Sequence, residues 1–159
     1  MEKKHGILNY SKITPNIYIG SNMCCQYHFE EELLKNGIDS DISLEADKID
    51  AAFGVKAYLW IPTKDHTAPE QEQLNLGVRM LNTLTKENKK IYVHCKHGHG
   101  RAPTLVAAYL IGKGMSVPEA VKFIKSKRPA MHLSKNQISA LQKFQKSAKL
   151  SRLKKSLFL

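Results

Sequence analysis

The stretch Ile91-Tyr92-Val93-His94-Cys95-Lys96-His97-Gly98-His99-Gly100-Arg101 gathers a cysteine, a lysine, three histidines, two glycines and an arginine around one turn of chain. Its first residues read as a short apolar strand and the residues after Arg101 as a helix, with a glycine-containing loop between them. A loop that leaves the carboxyl end of a buried strand and enters a helix aims its backbone N–H groups at one point, where the helix dipole also favours negative charge. Gly98 and Gly100 permit positive φ, so successive N–H groups can curl into an anion-binding nest. The same field is expected to lower the pKa of Cys95 and make it a thiolate nucleophile. Arg101, six positions on, supplies a planar two-pronged donor suited to phosphate oxygens, a geometry lysine does not match.

The loop residues divide by role. Lys96, His97, Gly98, His99, Gly100 and Arg101 are expected to bind the anionic substrate, with His97 and His99 on the rim, where they could tune substrate choice. His94 is read as a supporting histidine whose hydrogen bonds shape the loop. Because amides converge and side chains point outward on such a loop, Cys95, His97 and His99 are not read as metal ligands, and neither a metal nor a cofactor is expected.

Positioning this loop requires a buried strand, a buried helix and a sheet between them. Apolar runs rich in β-branched and aromatic residues occur at Ile17–Ile19, Val55–Ile61 and Ile91–Val93, separated by segments with helical periodicity. Three helix starts carry a capping-box spacing: Thr67 with Glu70, Ser116 with Glu119, and Ser134 with Gln137. Apolar series follow them at Leu74, Val78 and Leu81, at Val117, Ala120, Val121 and Ile124, and at Ile138, Leu141, Phe144 and Ala148. Helix Arg101–Gly112 is apolar nearly all round and is expected to be the buried central helix. Strands alternating with helices predict a single-domain α/β fold whose central, mostly parallel sheet is flanked by helices. The polar–apolar alternation of Ile38-Asp39-Ser40-Asp41-Ile42-Ser43-Leu44 reads as an exposed or distorted strand.

The chain has 159 residues, 42% of them hydrophobic and 25% charged, which suits one globular domain and excludes intrinsic disorder. Residues 1–148 are assigned to that domain and 149–159 to a basic tail. The longest unbroken apolar run, Leu105–Ile111, is too short to span a bilayer, and Met1-Glu2-Lys3-Lys4-His5 has no apolar region behind it, so a cytoplasmic protein is expected. Cys24, Cys25 and Cys95 are an odd count with no C-x-x-C pair, which fits a reducing compartment. With 25 Lys and Arg against 14 Asp and Glu, the formal charge of +11 predicts phosphate-bearing partners.

The sequence His94-Cys95-x5-Arg101 resembles the signature loop of the cysteine-dependent protein tyrosine phosphatases, and its surroundings resemble their dual-specificity branch. Ser11-Lys12-Ile13-Thr14-Pro15-Asn16-Ile17-Tyr18-Ile19-Gly20-Ser21 is similar to that branch's opening strand, Leu34-Lys35-Asn36-Gly37-Ile38 to its helix-to-strand turn and Lys127-Arg128-Pro129 to a later segment, in the family's order. The resemblance implies that Cys95 attacks phosphorus, that Arg101 and the loop amides hold the equatorial oxygens, and that water hydrolyses a phosphocysteine. It places the general acid at Asp65, thirty residues before Cys95, with His66 as a competitor. The chemistry asks for such a group, since the ester's leaving oxygen must be protonated as it departs. A water-positioning amide is implied at Gln137, with Asn136 as its rival.

Ala102-Pro103 departs from the family, which has a hydroxyl residue and glycine there. That hydroxyl normally bonds the cysteine sulfur, so slower dephosphorylation of the enzyme is expected, while Pro103 is harmless in the first helical turn. Thr104, two positions further round the helix, is expected to point elsewhere. The implied function is a monomeric protein phosphatase acting on phosphotyrosine, with phosphoserine and phosphothreonine also within its range. An RNA 5′-phosphatase or triphosphatase, or a phospholipid or phosphosugar phosphatase, is the alternative. The basic balance leaves RNA or an acidic membrane surface open as an anionic partner. A sulfurtransferase and a silent phospho-binding module are disfavoured, because the first needs no upstream acid and the second usually loses the cysteine or the acid.

Overall fold

The computed structural model describes residues 8–22, 31–49 and 52–157. Cys24 and Cys25, and the last two residues of the basic tail, lie outside them. Five strands form one sheet: β1 (Tyr10–Lys12), β2 (Ile17–Gly20), β3 (Ile38–Glu45), β4 (Ala57–Thr63) and β5 (Lys90–His94). The helices are α1 (Glu31–Lys35), α2 (Gln71–Lys86), α3 (Arg101–Gly112), α4 (Val117–Lys127) and α5 (Lys135–Leu157). The strand order is β1-β2-β5-β3-β4, with β2, β5, β3 and β4 parallel and β1 antiparallel at the edge.

β5 is central because it is buried along Ile91–His94 and pairs with β2 on one side and β3 on the other. A parallel sheet covered on both faces needs such near-continuous apolar strands. One face carries the main core, in which Ile17, Ile19, Ile42, Leu44 and Val93 pack with Leu74, Leu81 and the apolar residues of α3. On the other face Tyr18, Leu33, Ile38 and Tyr92 form a smaller cluster beneath α1. Helix α3 is buried from Arg101 to Ile111 and packs against α2, α4 and α5, as its all-round apolarity predicts. Gly77 sets how closely α2 can lie: a Cβ there would meet Leu105 Cδ1 at 2.5 Å.

Two of the three expected caps form. Ser116 and Glu119 close a reciprocal box at α4, and Ser134 and Gln137 exchange backbone bonds at α5. The third expectation is corrected. Helix α2 starts at Gln71 with Glu70 as its cap and Gln73 as the reciprocal partner, while Thr67 donates its hydroxyl to Lys64 O at 2.7 Å. Pro69 explains the shift, since the residue before a proline is driven out of helical geometry. Helix α5 runs unbroken through the first residues of the segment assigned to the tail.

The strand expected to be exposed or distorted is the one sandwiched between β4 and β5. In β3 every residue but Asp39 is buried, including Ser40, Asp41, Ser43 and Glu45. The irregularity itself is present, as register shifts at Ile38/Ser40 and Ser43/Glu45. Asp41, Ser43 and Glu45 fall on one face because side chains alternate along a strand. They are buried polar groups with work at the site rather than a solvated edge.

Candidate active site

A parallel sheet presents ligands at the carboxyl ends of its strands. Here β5 ends at His94 and the loop from Cys95 to Gly100 leads into α3. Gly98 has φ +67°, and a Cβ there would lie 2.5 Å from the backbone oxygen of Gly20. Only glycine meets both demands, the left-handed backbone and the close approach. Gly100, at φ −130°, has no positive φ but lies against the Gln137 amide, 2.8 Å from where a Cβ would sit. The substitution Gly98→Ala is expected to cost roughly 1–2 kcal/mol from the backbone alone, and to displace the loop so that oxyanion binding is lost. Thermal unfolding and titration with inorganic phosphate read the two effects separately.

Arg128 fastens the loop from behind. Its Nε donates to Gly98 O at 2.7 Å, one terminal nitrogen to His97 O at 3.0 Å and the other to Ser11 Oγ at 3.2 Å. These carbonyls point back into the guanidinium, which leaves the loop's N–H groups to face the other way. Arg128 belongs to the Lys127-Arg128-Pro129 segment singled out in the sequence, but nothing local announces its role.

Arg101 is 2% exposed and fully engaged. It donates to Thr63 O at 2.7 Å, lies 3.4 Å from Glu45 Oε1 and contacts Asp65 Oδ1 at 3.0 Å. Glu45 is held in turn by Asn22 Nδ2 at 2.8 Å and by the N–H groups of Ala46 and Asp47. Burial pushes the Glu45 carboxyl up, but Asn22, the Asp47 amide and the Arg101 charge prevail and hold it below the usual range. It is therefore a fixed anion that orients Arg101.

His94, expected to support the loop, has partners that sequence reasoning missed. It is fully buried, its Nδ1 lies 3.1 Å from Asn22 Oδ1 and its Nε2 faces Asp41 Oδ1 at 3.3 Å. Asn22 commits its Nδ2 to Glu45, so it presents its oxygen to His94. Asp41, His94, Asn22, Glu45 and Arg101 thus form one polar chain behind the loop. The signal for it was the alternation Asp41-x-Ser43-x-Glu45, whose partners sit on other segments.

A cavity of about 300 Å³ opens over the loop, lined by Cys95, Lys96, His97, His99, Gly100 and Arg101 together with Asp65, His66, His132, Leu133, Ser134 and Gln137. Cys95 is 3% exposed there. Asp65 reaches the cavity from the turn after β4. Burial pushes its carboxyl up, but the Arg101 guanidinium, the His66 amide and ring, and Lys96 outweigh this and hold it below the usual carboxylate range. Gln137 donates from Nε2 to Thr67 O at 3.0 Å, tying the start of α5 to the Asp65 turn. Its rival Asn136 lines a different cleft with Pro69 and Glu70. Thr104 donates to Gly100 O at 2.8 Å, away from the sulfur, as its helical position predicts. Among the described residues no group of His, Cys, Asp and Glu is placed to hold a metal ion, and no helix is long and apolar enough to cross a membrane.

This arrangement can bind a tetrahedral anion, present a sulfur to it and offer a carboxyl beside it. Comparison with known proteins agrees. The dual specificity phosphatase catalytic domain model matches residues 17–147. Over 128 residues the chain is 34% identical to protein tyrosine phosphatase type IVA 2 of Mus musculus, covering 77% of this chain and 75% of that one. It is 37% identical over 89 residues to the phosphatidylglycerophosphate phosphatase PTPMT2 of Arabidopsis thaliana, covering 55% of this chain and only 39% of that relative's length. The crystal structure of human DUSP28 superposes with a TM-score of 0.78 over 89% of this chain and 99% of that one, at 23% identity, a likeness of fold. With the loop, the sheet order and the matched span in agreement, the chain belongs to the dual specificity phosphatase branch of the cysteine-based protein tyrosine phosphatases.

Proposed function

We propose that the protein hydrolyses phosphate monoesters through a phosphocysteine. The observation that carries this is the convergence of Cys95 and Arg101, from the two ends of one loop, with Asp65, from the turn after β4, on one cavity. Arg101 and the loop amides hold the phosphoryl oxygens and stabilise the charge that spreads over them in transit. The Cys95 sulfur forms a bond to phosphorus as the P–O ester bond breaks, and Asp65 gives its proton to the departing oxygen. Water, oriented by Gln137, then breaks the S–P bond and releases phosphate. No metal is needed for this sequence of steps.

The substrate read from the sequence is phosphoprotein in the cytoplasm, phosphotyrosine first and phosphoserine or phosphothreonine as well. Similarity to a protein tyrosine phosphatase supports it. A second reading, a phosphorylated polar headgroup or sugar, is favoured by the cavity wall, where Leu133 is the single aliphatic residue and no phenylalanine, tyrosine or tryptophan stands. The RNA triphosphatase alternative is weakened by Asp65, which a polyphosphate leaving group does not need. Phosphate release from matched phosphotyrosine, phosphoserine and phosphothreonine peptides, a monophosphorylated sugar and a 5′-triphosphorylated RNA tests the whole reading. Turnover of RNA alone, indifferent to loss of Asp65, overturns it.

Ala102 is fully buried at the start of α3 and has no hydroxyl to offer the leaving sulfur. Rapid mixing with saturating substrate is therefore expected to show a burst of about one product per enzyme and then a slower steady state. Ala102→Ser is expected to raise the steady rate severalfold and shrink the burst. A time course linear from the first turnover refutes this.

A further inference from the structure

Three imidazoles line the mouth of the site and take no part in the bond-making and bond-breaking steps above. The rings of His97 and His99 lie 5.8 Å apart, and those of His99 and His132 lie 5.2 Å apart. They come from two segments, the loop and the turn before α5, joined by the His132 N–H bond to His99 O at 3.0 Å. His132 Nδ1 is occupied by Ala130 O at 3.1 Å, which leaves Nε2 for a ligand. All three line the cavity that holds Cys95, with Lys96 beside them.

The hydrogen-bonding side chains there exceed what a single phosphate uses. The lining carries Lys96, Arg101, His66, His97, His99 and His132 against one acid, Asp65, which is paired to Arg101. A phosphate over Cys95 takes Arg101 and the loop amides, so Lys96 and the three imidazoles remain as donors without an acceptor. The wall also carries no aromatic ring other than imidazole, with Leu133 its single aliphatic residue, which suits a hydroxylated ring better than an aromatic one.

We propose that His97, His99 and His132 form a subsite for a second phosphate, so that the site selects a compact polyol or sugar carrying two phosphates, free or as a lipid headgroup. This rests on the phosphatase reading and names its substrate class. The subsite strengthens on mild acidification. Burial pushes His99 towards its neutral form, as do Arg128, His132, His97 and Lys125. Asp65, His66, Lys96 and Arg101 complete the charged groups around it. A second phosphate reverses that repulsion, so protonation and second-phosphate binding reinforce each other.

The test uses the whole chain and the ratio of kcat/KM for a hexose bisphosphate to that for the matching hexose monophosphate. Short-chain phosphatidylinositols with one or two ring phosphates form a parallel arm that distinguishes the lipid from the free source, and singly and doubly phosphorylated peptides form a third. The two-phosphate preference is expected to be roughly tenfold greater at about pH 6 than at about pH 8. His99→Asn with His132→Asn is expected to bring the ratio near one at both, and His132→Arg to raise it at about pH 8 and flatten its pH dependence. An unchanged ratio in the double variant overturns the subsite, as does equal turnover of one- and two-phosphate substrates. A preference confined to the doubly phosphorylated peptide overturns the polyol class. Turnover of p-nitrophenyl phosphate by the wild type shows that the phosphatase reading survives such a failure, and its absence there, with every other phosphomonoester inert, defeats both.

Discussion

Cys95→Ser is expected to lower phosphate release by at least about 10⁴-fold while leaving the fold and anion binding intact. The change swaps one atom at a site 3% exposed, inside a loop whose shape is held by Gly98 and by the three donors of Arg128. A serine hydroxyl is a far weaker nucleophile than sulfur without an adjacent general base, and none of the groups around it takes that role. The loop amides and Arg101 remain, so inorganic phosphate should bind within a few-fold of wild type. Initial rates on a phosphotyrosine peptide and on p-nitrophenyl phosphate, with calorimetric titration of phosphate, check both halves. Residual turnover near a hundredth of wild type would place the nucleophile elsewhere.

The second large effect is at Asp65. Its carboxyl is held below the usual range and paired to Arg101 at 3.0 Å, whereas the proposed reaction requires it protonated and beside the leaving oxygen. An arriving phosphate is expected to compete for Arg101 and to bring its own negative charge, which together would move Asp65 towards its protonated form. Asp65→Asn removes the proton donor and also a competitor for Arg101. The expected result is a fall in kcat of about 10²- to 10⁴-fold for a phosphoserine substrate, whose alkoxide leaves poorly. With p-nitrophenyl phosphate the fall should be much smaller, because that leaving group needs little protonation. Affinity for inorganic phosphate should rise roughly tenfold. Equal losses on both substrates would make Asp65 a structural residue.

Asp65 also makes stability depend on pH. Its folded pKa lies below the unfolded one, so its contribution is present above the unfolded value and disappears as pH falls through the folded one. The difference in melting temperature between wild type and Asp65→Asn should therefore be visible at neutral pH and vanish in acid. Glu45 acts with the same sign and steepens the acid limb of the wild-type curve.

The loop from Cys95 to Arg101 was legible because its residues are contiguous. Strand, loop and helix follow one another between Ile91 and Gly112, and the glycines, cysteine and arginine that define an anion site lie within a few bonds of each other. Local capping logic likewise placed the starts of α4 and α5, where Ser116, Glu119, Ser134 and Gln137 need only each other. The same logic misplaced the start of α2, since Pro69 overrode the Thr67 and Glu70 spacing. Asp65 came from resemblance, for no local feature distinguishes it from the neighbouring His66.

What the amino-acid order determined by itself is the α/β class, from short-range periodicity, and the family, from the resemblance of contiguous motifs, together with the segment proposed to perform the chemistry. What only the tertiary structure decided is the support around that segment. The polar–apolar alternation of β3 read as an exposed or distorted strand, and the sheet order instead buries it between β4 and β5, with Asp41 against His94 and Glu45 against Arg101. Arg128 behind the loop, Gln137 rather than Asn136 at the cavity, and His132 beside His99 are likewise products of long-range packing. A buried polar residue is stable only with its partner, and when that partner is dozens of residues away the fold alone brings the two together.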